Sequence, residues 1–154
     1  MLKKIDTPIS DLFIIIPDNF KDARGYFFEA YSEKKYHALG LTYKFVQDNI
    51  SKSVYGTVRG LHYQVGDFAQ GKLCQVILGK VLDVAVDIRF GSPTFGKYFS
   101  VELSAENNKQ LWIPLVLRTD FQYYRKKLFF IISVLIIIAR KMKDVLFTMI
   151  RVLV

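Results

Sequence analysis

The chain has 154 residues, 51% of them hydrophobic and 23% charged, with 22 Lys+Arg against 14 Asp+Glu. That length predicts one domain able to bury a core without staples. One cysteine excludes a disulfide framework and any cysteine-based zinc site, and the apolar content excludes wholesale disorder. The net charge of +8 is unevenly spread: residues 1–114 carry +2 and residues 115–154 carry +6. A basic protein invites a nucleic-acid or membrane reading, but most of this charge belongs to the last quarter of the chain. Two compositions meet near Pro114.

In chain order, the apolar run Leu12–Ile16 is too short for a signal-peptide core. Phe27-Phe28-Glu29-Ala30-Tyr31 follows a turn signal at Asp22 and Gly25 and predicts a strand. Ser32 to Leu39 predicts the one helix, with Ser32 at its N-cap and Gly40 as its stop. From Leu73 to Ile88, apolar residues recur at period two around Leu78-Gly79-Lys80. This predicts a hairpin turned at Gly79, with Asp83 and Asp87 on the face opposite Val84 and Val86. Tyr98–Leu103 and Leu111–Ile113 predict two more strands. Short strands at this spacing indicate an all-β sandwich or barrel. The run Leu128–Ala139 is twelve residues, short of the ~20 a membrane-spanning helix needs.

Few residues carry chemistry. Gly66 to Leu73 imitates a phosphate loop, but it lacks the Ser/Thr for magnesium and leads into a strand, where such a loop needs a helix N-terminus. The two histidines, His37 and His62, are too few for the imidazole-rich site a metal would require, so no metal is expected. His37 sits among Lys34, Lys35 and Tyr36 as a surface residue. His62 lies in Arg59-Gly60-Leu61-His62-Tyr63-Gln64. Three-residue spacing puts Arg59 and His62 on opposite faces of a regular strand, so a bulge at a glycine would have to bring them together. Lys72 follows ten residues later. A histidine base and a lysine cation suit removal of a proton beside a carbonyl, with the cation stabilising the enolate.

These segments together resemble one family. Phe20 to Glu29, Gln47 to Ser51, Arg59 to Gln64, Lys72 to Val76, Val84 to Arg89 and Leu111-Trp112-Ile113-Pro114 are similar, in order and spacing, to the dTDP-4-dehydrorhamnose 3,5-epimerases. The resemblance implies a cupin-like β jelly roll, a homodimer with no metal or other cofactor, and a cytoplasmic place in nucleotide-sugar metabolism. It implies no nucleic-acid or membrane partner. It also implies roles: His62 as the base flanking the sugar ketone, Lys72 at the sugar and its developing oxyanion, and Arg59, Arg24, Glu29, Gln47 and Asn49 in the pocket of a dTDP-sugar. The diphosphate gives the two arginines a task, since guanidinium forks match phosphate oxygens.

The resemblance stops at Pro114. The family continues with Gly-Phe-Ala-His-Gly-Phe and later a Tyr-Lys-Cys segment and a Tyr-Tyr pair. That region supplies the general acid, and a later Asp orients the base. Written GGT TTT GCG CAC GGA TTT and read one base later, the family segment gives Val116 to Asp120 of this chain and then TT, which one more base completes as Phe121. The same displaced reading forces Leu at Tyr123-Tyr124 and Glu at Met142-Lys143. It permits Tyr-Lys-Cys-Thr and Tyr-Tyr-Cys-Pro-Glu-Asp-Glu farther on. The expected organisation is therefore an N-terminal part of the jelly-roll domain, residues 1–114, followed by an aberrant basic and apolar tail, residues 115–154, from a shifted frame. Such a tail predicts exposed edges, aggregation and impaired activity. Two other readings stand beside the epimerase: a non-catalytic nucleotide-sugar binding module, and a membrane-surface protein acting through its tail.

Overall fold

The computed structural model describes residues 2–59, 61, 63–64, 69–114 and, as backbone, 134–136. Among the described residues, ten strands and one short helix follow in order: β1 (Lys3–Asp6), β2 (Phe13–Ile16), β3 (Asn19–Asp22), β4 (Gly25–Phe28), α1 (Glu33–Ala38), β5 (Val58–Arg59), β6 (Lys72–Gln75), β7 (Lys80–Val86), β8 (Tyr98–Ser104), β9 (Gln110–Ile113) and β10 (Val134–Ile136). They form two four-stranded antiparallel sheets, ordered β1-β2-β9-β6 and β5-β10-β7-β8, with β3-β4 as a separate two-stranded arm. The architecture is the all-β sandwich expected from the strand spacing, and it agrees with the jelly roll that the resemblance implies.

Alternation along the strands decides what each face meets. Ile14, Leu111, Ile113 and Cys74 of the first sheet pack with Val81, Ala85, Val101 and Leu103 of the second, making the core between the sheets. The opposite face of the first sheet carries Phe13, Ile15, Leu73 and Trp112. It is covered by Tyr36 of α1 and by Leu41, Tyr43 and Phe45 beyond it. The outer face of the second sheet gathers Val84 and Val86 with Leu61, Leu82 and Ile88. The parity expected for β7 is the one observed: Asp83 lies with Val81 and Ala85, away from Val84 and Val86, and it is fully buried.

The helix is where the sequence places it. Ser32 holds the N-cap position with extended backbone but makes no side-chain cap bond, and Gly40 follows the C-cap with φ +89°. The predicted strand at residues 27–31 begins earlier and ends earlier, as β4, paired with β3.

The hairpin expected between Leu73 and Ile88 is not a hairpin. β6 pairs with β9 in one sheet, and β7 pairs with β8 and β10 in the other. Gly79 does turn the chain, with φ +78°, but the turn is an arch across the sandwich. Val76 and Val81, on either side of it, meet in the inter-sheet core. Burial of both inner faces there takes the place of a ladder between the two strands.

Candidate functional site

The pairing register builds the site row by row. β10 aligns residue 135 with Arg59 of β5 on one side and with Asp83 of β7 on the other. Directly opposite residues of antiparallel strands share a face, so Arg59 and Asp83 belong to one cross-strand row. That row lies on the side of Val81 and Ala85, the side turned toward the first sheet. Lys72 opens β6 in the first sheet, with the same parity as the inward Cys74, and pairs with Ile113. By register, Arg59 and Asp83 share a row on the second sheet, and Lys72 holds an inward-parity position on the first.

Arg59 ends the irregular stretch that begins after α1. Its Nε donates to Ser53 Oγ at 2.8 Å and its Nη2 to the Lys52 carbonyl at 3.1 Å. In the same stretch Gln47 Nε2 donates to Asn49 Oδ1 at 2.9 Å. That bond takes one acceptor site of the Asn49 oxygen and leaves its NH2 as a donor. Gln47, Asn49 and Arg59 are all exposed.

Arg24 and Glu29 stand on the arm. Arg24 occupies the turn between β3 and β4, and its guanidinium grips the Asp22 carboxylate through Nε at 3.2 Å and Nη2 at 2.6 Å. The Arg24 hydrogen bonds hold the exposed Asp22 carboxyl below its usual range, and Asp22 raises Arg24 in return. Glu29, just beyond β4, pairs with Lys35 of α1 at 2.6 Å, and this hydrogen bond raises the Lys35 ammonium. Among the described residues, no hydrogen bond or ion pair joins Arg24 or Glu29 to Lys72 or Arg59. The contacts of the described residues therefore join Gln47 to Asn49 and Arg59 to its own loop, keep Arg24 and Glu29 with the arm and α1, and leave Lys72 placed by its register in β6.

His62, with Gly60, lies outside the described residues; so do residues 66–68 of the phosphate-loop imitation and all of the tail except the backbone of β10. Among the described residues, no cluster of three or more His, Cys, Asp or Glu is arranged to hold a metal, and no helix is long and apolar enough to cross a membrane.

Two residues escape the sequence reading. Asp83 was legible as a strand position but not as a site residue. Its signal was a carboxylate inside Val81-Leu82-Asp83-Val84-Ala85-Val86, since acids are almost never fully buried without a partner. Ser53 gave no signal in sequence, because its contact with Arg59 depends on how the loop folds back.

A family model described as dTDP-4-dehydrorhamnose 3,5-epimerase matches residues 6–135. The chain is 55% identical over 111 residues to the dTDP-4-dehydrorhamnose 3,5-epimerase of Shigella flexneri, covering 71% of this chain and 61% of that protein. It is 53% identical over 115 residues to the Salmonella typhimurium enzyme of the same name, covering 74% and 63%. The chain thus spans about three-fifths of the length of these curated relatives. Among solved structures, the epimerase from Elizabethkingia anophelis superposes with a TM-score of 0.74 at 45% identity, covering 90% of this chain and 68% of that one. The dTDP-6-deoxy-D-glucose-3,5-epimerase of Legionella pneumophila, in complex with dTDP-4-keto-L-rhamnose, superposes with a TM-score of 0.77 at 42% identity, covering 90% and 66%. With a match of this extent over an all-β sandwich of the same architecture, the chain belongs to the dTDP-4-dehydrorhamnose 3,5-epimerase family.

Proposed function

We propose that this chain carries the substrate-binding and proton-abstracting half of an epimerase. The reaction takes dTDP-4-dehydro-6-deoxy-D-glucose to dTDP-4-dehydro-L-rhamnose. At each carbon beside the ketone a base removes the proton, the electrons pass into an enolate, and a proton returns to the opposite face. His62 is the base. Lys72 stabilises the oxyanion, because an ammonium is worth most where charge develops away from bulk water. Arg59 and Arg24 take the diphosphate, and Glu29, Gln47 and Asn49 complete the nucleotide-sugar pocket. The observation that supports this reading is the register: Arg59 shares a row with Asp83 on the second sheet, and Lys72 holds an inward-parity position on the first. The chemistry needs no metal or other cofactor, and we place it in the cytoplasm with the other steps of dTDP-rhamnose synthesis.

The test is NMR of the sugar after incubation with the purified chain in D2O. Deuterium entering beside the ketone, lost in His62→Asn, supports the reading. Tight dTDP binding with no exchange would instead establish a non-catalytic nucleotide-sugar module. A specific feature favours that second reading: the residues resembling pocket residues lie before Pro114, whereas the family's general acid belongs to the region that the tail replaces.

We also read residues 115–154 as a displaced frame of the family's second half, following the domain 1–114. The forced residues at Tyr123-Tyr124 and Met142-Lys143 support this. Nucleotides across the Pro114 codon decide it: codons that cannot spell the family residues one base away would reject it. The arm supports a homodimer. Phe20, Tyr26 and Phe27 are exposed on it, and exposed aromatics of this kind mark partner surfaces. Sedimentation of the purified chain as a monomer would remove that assignment.

A further inference from the structure

Arg59 is held by its own loop in a particular way. The two donors that reach Ser53 Oγ and the Lys52 carbonyl, Nε and Nη2, form the side edge of the guanidinium. The loop between is folded tightly. The Thr57 N–H and Oγ1 both donate to the Val54 carbonyl, at 3.2 and 2.8 Å, and Gly56 takes φ +81°. With the side edge occupied inside the loop, the end edge, Nη1 with the second hydrogen of Nη2, is directed away from it. Asn49 keeps its NH2 as a donor, because Gln47 bonds to its oxygen. The loop therefore presents a fork of guanidinium donors and an amide donor from one exposed segment, the combination that suits an anion with several oxygens.

We propose that Ser53 is a positioning residue for Arg59: its hydroxyl pins the guanidinium so that the end edge meets the diphosphate of the nucleotide-sugar. The assignment rests on the reading of Arg59 as a diphosphate ligand. The side chain of Ser53 is the replaceable half of the grip, since Lys52 contributes only its carbonyl. An exposed arginine held at both side-edge donors loses less freedom when it closes on phosphate than one free to rotate. Nothing else in Ser53 is needed: threonine keeps the oxygen and alanine removes it with little change of volume.

The experiment is calorimetric titration of the full chain with dTDP, in the unaltered protein and in Ser53→Ala, Ser53→Thr and Arg59→Ala. It is combined with NMR of the Arg59 Nε–H and with melting temperatures. The expected result is that Ser53→Ala weakens dTDP binding about five- to tenfold, the scale of one ordinary hydrogen bond. Ser53→Thr restores binding to within about twofold on the same scale, and the Nε–H signal broadens into exchange in Ser53→Ala alone. The melting temperature of Ser53→Ala stays that of the parent, which a merely structural role would not allow. If Ser53→Ala binds dTDP like the parent while Arg59→Ala is weakened, the positioning role is overturned and the diphosphate reading survives. If Arg59→Ala binds as well as the parent, or the parent does not bind dTDP, the diphosphate reading itself falls and the positioning role with it.

Discussion

The fully buried Asp87 carboxylate receives both edge donors of Arg89, Nε at 2.9 Å and Nη2 at 2.7 Å. Ser92 Oγ and Thr94 Oγ1 also donate to it, and Arg89 reaches on to the Ser10 carbonyl and the Asp11 carboxylate. The pair thus ties the loop after β7 to the loop between β1 and β2, at one end of the sandwich. Removing one partner of a buried pair strands the other charge. Asp87→Asn is expected to cost about 3 kcal/mol at pH 7, read as a lower urea midpoint. Burial alone would push the Asp87 carboxyl up, but the bonds from Arg89, Thr94 and Ser92 outweigh it and hold it below its usual value. Because the folded value is the lower one, the stabilisation is complete above the unfolded value of about 3.9. It disappears as pH falls through the folded value. The gap between parent and Asp87→Asn should therefore close in strong acid; a gap that persists there would contradict this account.

How much of this was visible in the sequence depends on what kind of information each feature carries. Period-two alternation records which residues share a face, so the separation of Asp83 from Val84 and Val86 on β7 was readable, but not that the Asp83 face is the inner one. It says nothing about partners, so β6 and β7, adjacent in sequence and joined by a glycine turn, were read as one hairpin and lie in different sheets. Lys72 was legible as chemistry only in company, as a cation following the His62 segment and as a position that the family resemblance matches. Arg59 was legible as a residue type, but its grip on Ser53 depends on a loop path that no periodicity encodes. The row joining Arg59 and Asp83 needed the register through β10, a strand drawn from the tail, where the apolar pattern fits helix and strand alike.

Tyr36 is the polar bolt of the outer layer. It is fully buried, and its hydroxyl lies 2.7 Å from Gln110 Oε1 and 2.9 Å from the Ala30 carbonyl. Gln110 Nε2 in turn donates to Ala30 and to Gln75 Oε1 of β6. Tyr36→Phe leaves a buried oxygen short of a donor and should cost about 1–2 kcal/mol. Burial pushes the hydroxyl from 10.0 up to about 12, against the opposing Gln110 bond. The folded value is the higher one, so its stabilisation is complete below pH 10.0 and is lost as pH rises toward about 12. The advantage of the parent over Tyr36→Phe in chemical denaturation should shrink across that window, and an advantage that grows would refute the assignment.

Gly79 makes the arch between the sheets. Its φ of +78° is the left-handed region, and a Cβ built there would meet nothing within 4 Å. The cost of a side chain is then backbone strain alone. Gly79→Ala should destabilise by about 1 kcal/mol, or roughly 3 °C in melting temperature. Gly79→Asn should cost less, since asparagine tolerates this region. Equal losses for the two variants would point to a steric cause instead.

Trp112 is the sole tryptophan of the chain, and it reports on a cluster that β9 shares with the core. Its ring is buried among Phe13 at 6.4 Å, Tyr43 stacked at 5.3 Å and Phe45 edge-on at 6.0 Å. Its neighbours on the same strand, Leu111 and Ile113, point the other way into the inter-sheet core. One strand therefore carries both layers, and neither can lose it without the other. Trp112→Ala should cost about 3–5 kcal/mol, the range for deleting a large buried aromatic. In the parent, unfolding followed by Trp112 fluorescence should coincide with unfolding followed by circular dichroism, because coincident probes mark a single cooperative transition. A fluorescence midpoint at clearly lower urea would mean that α1 and its aromatic layer peel from β9 before the sandwich opens, and that the two clusters are separate units despite sharing a strand.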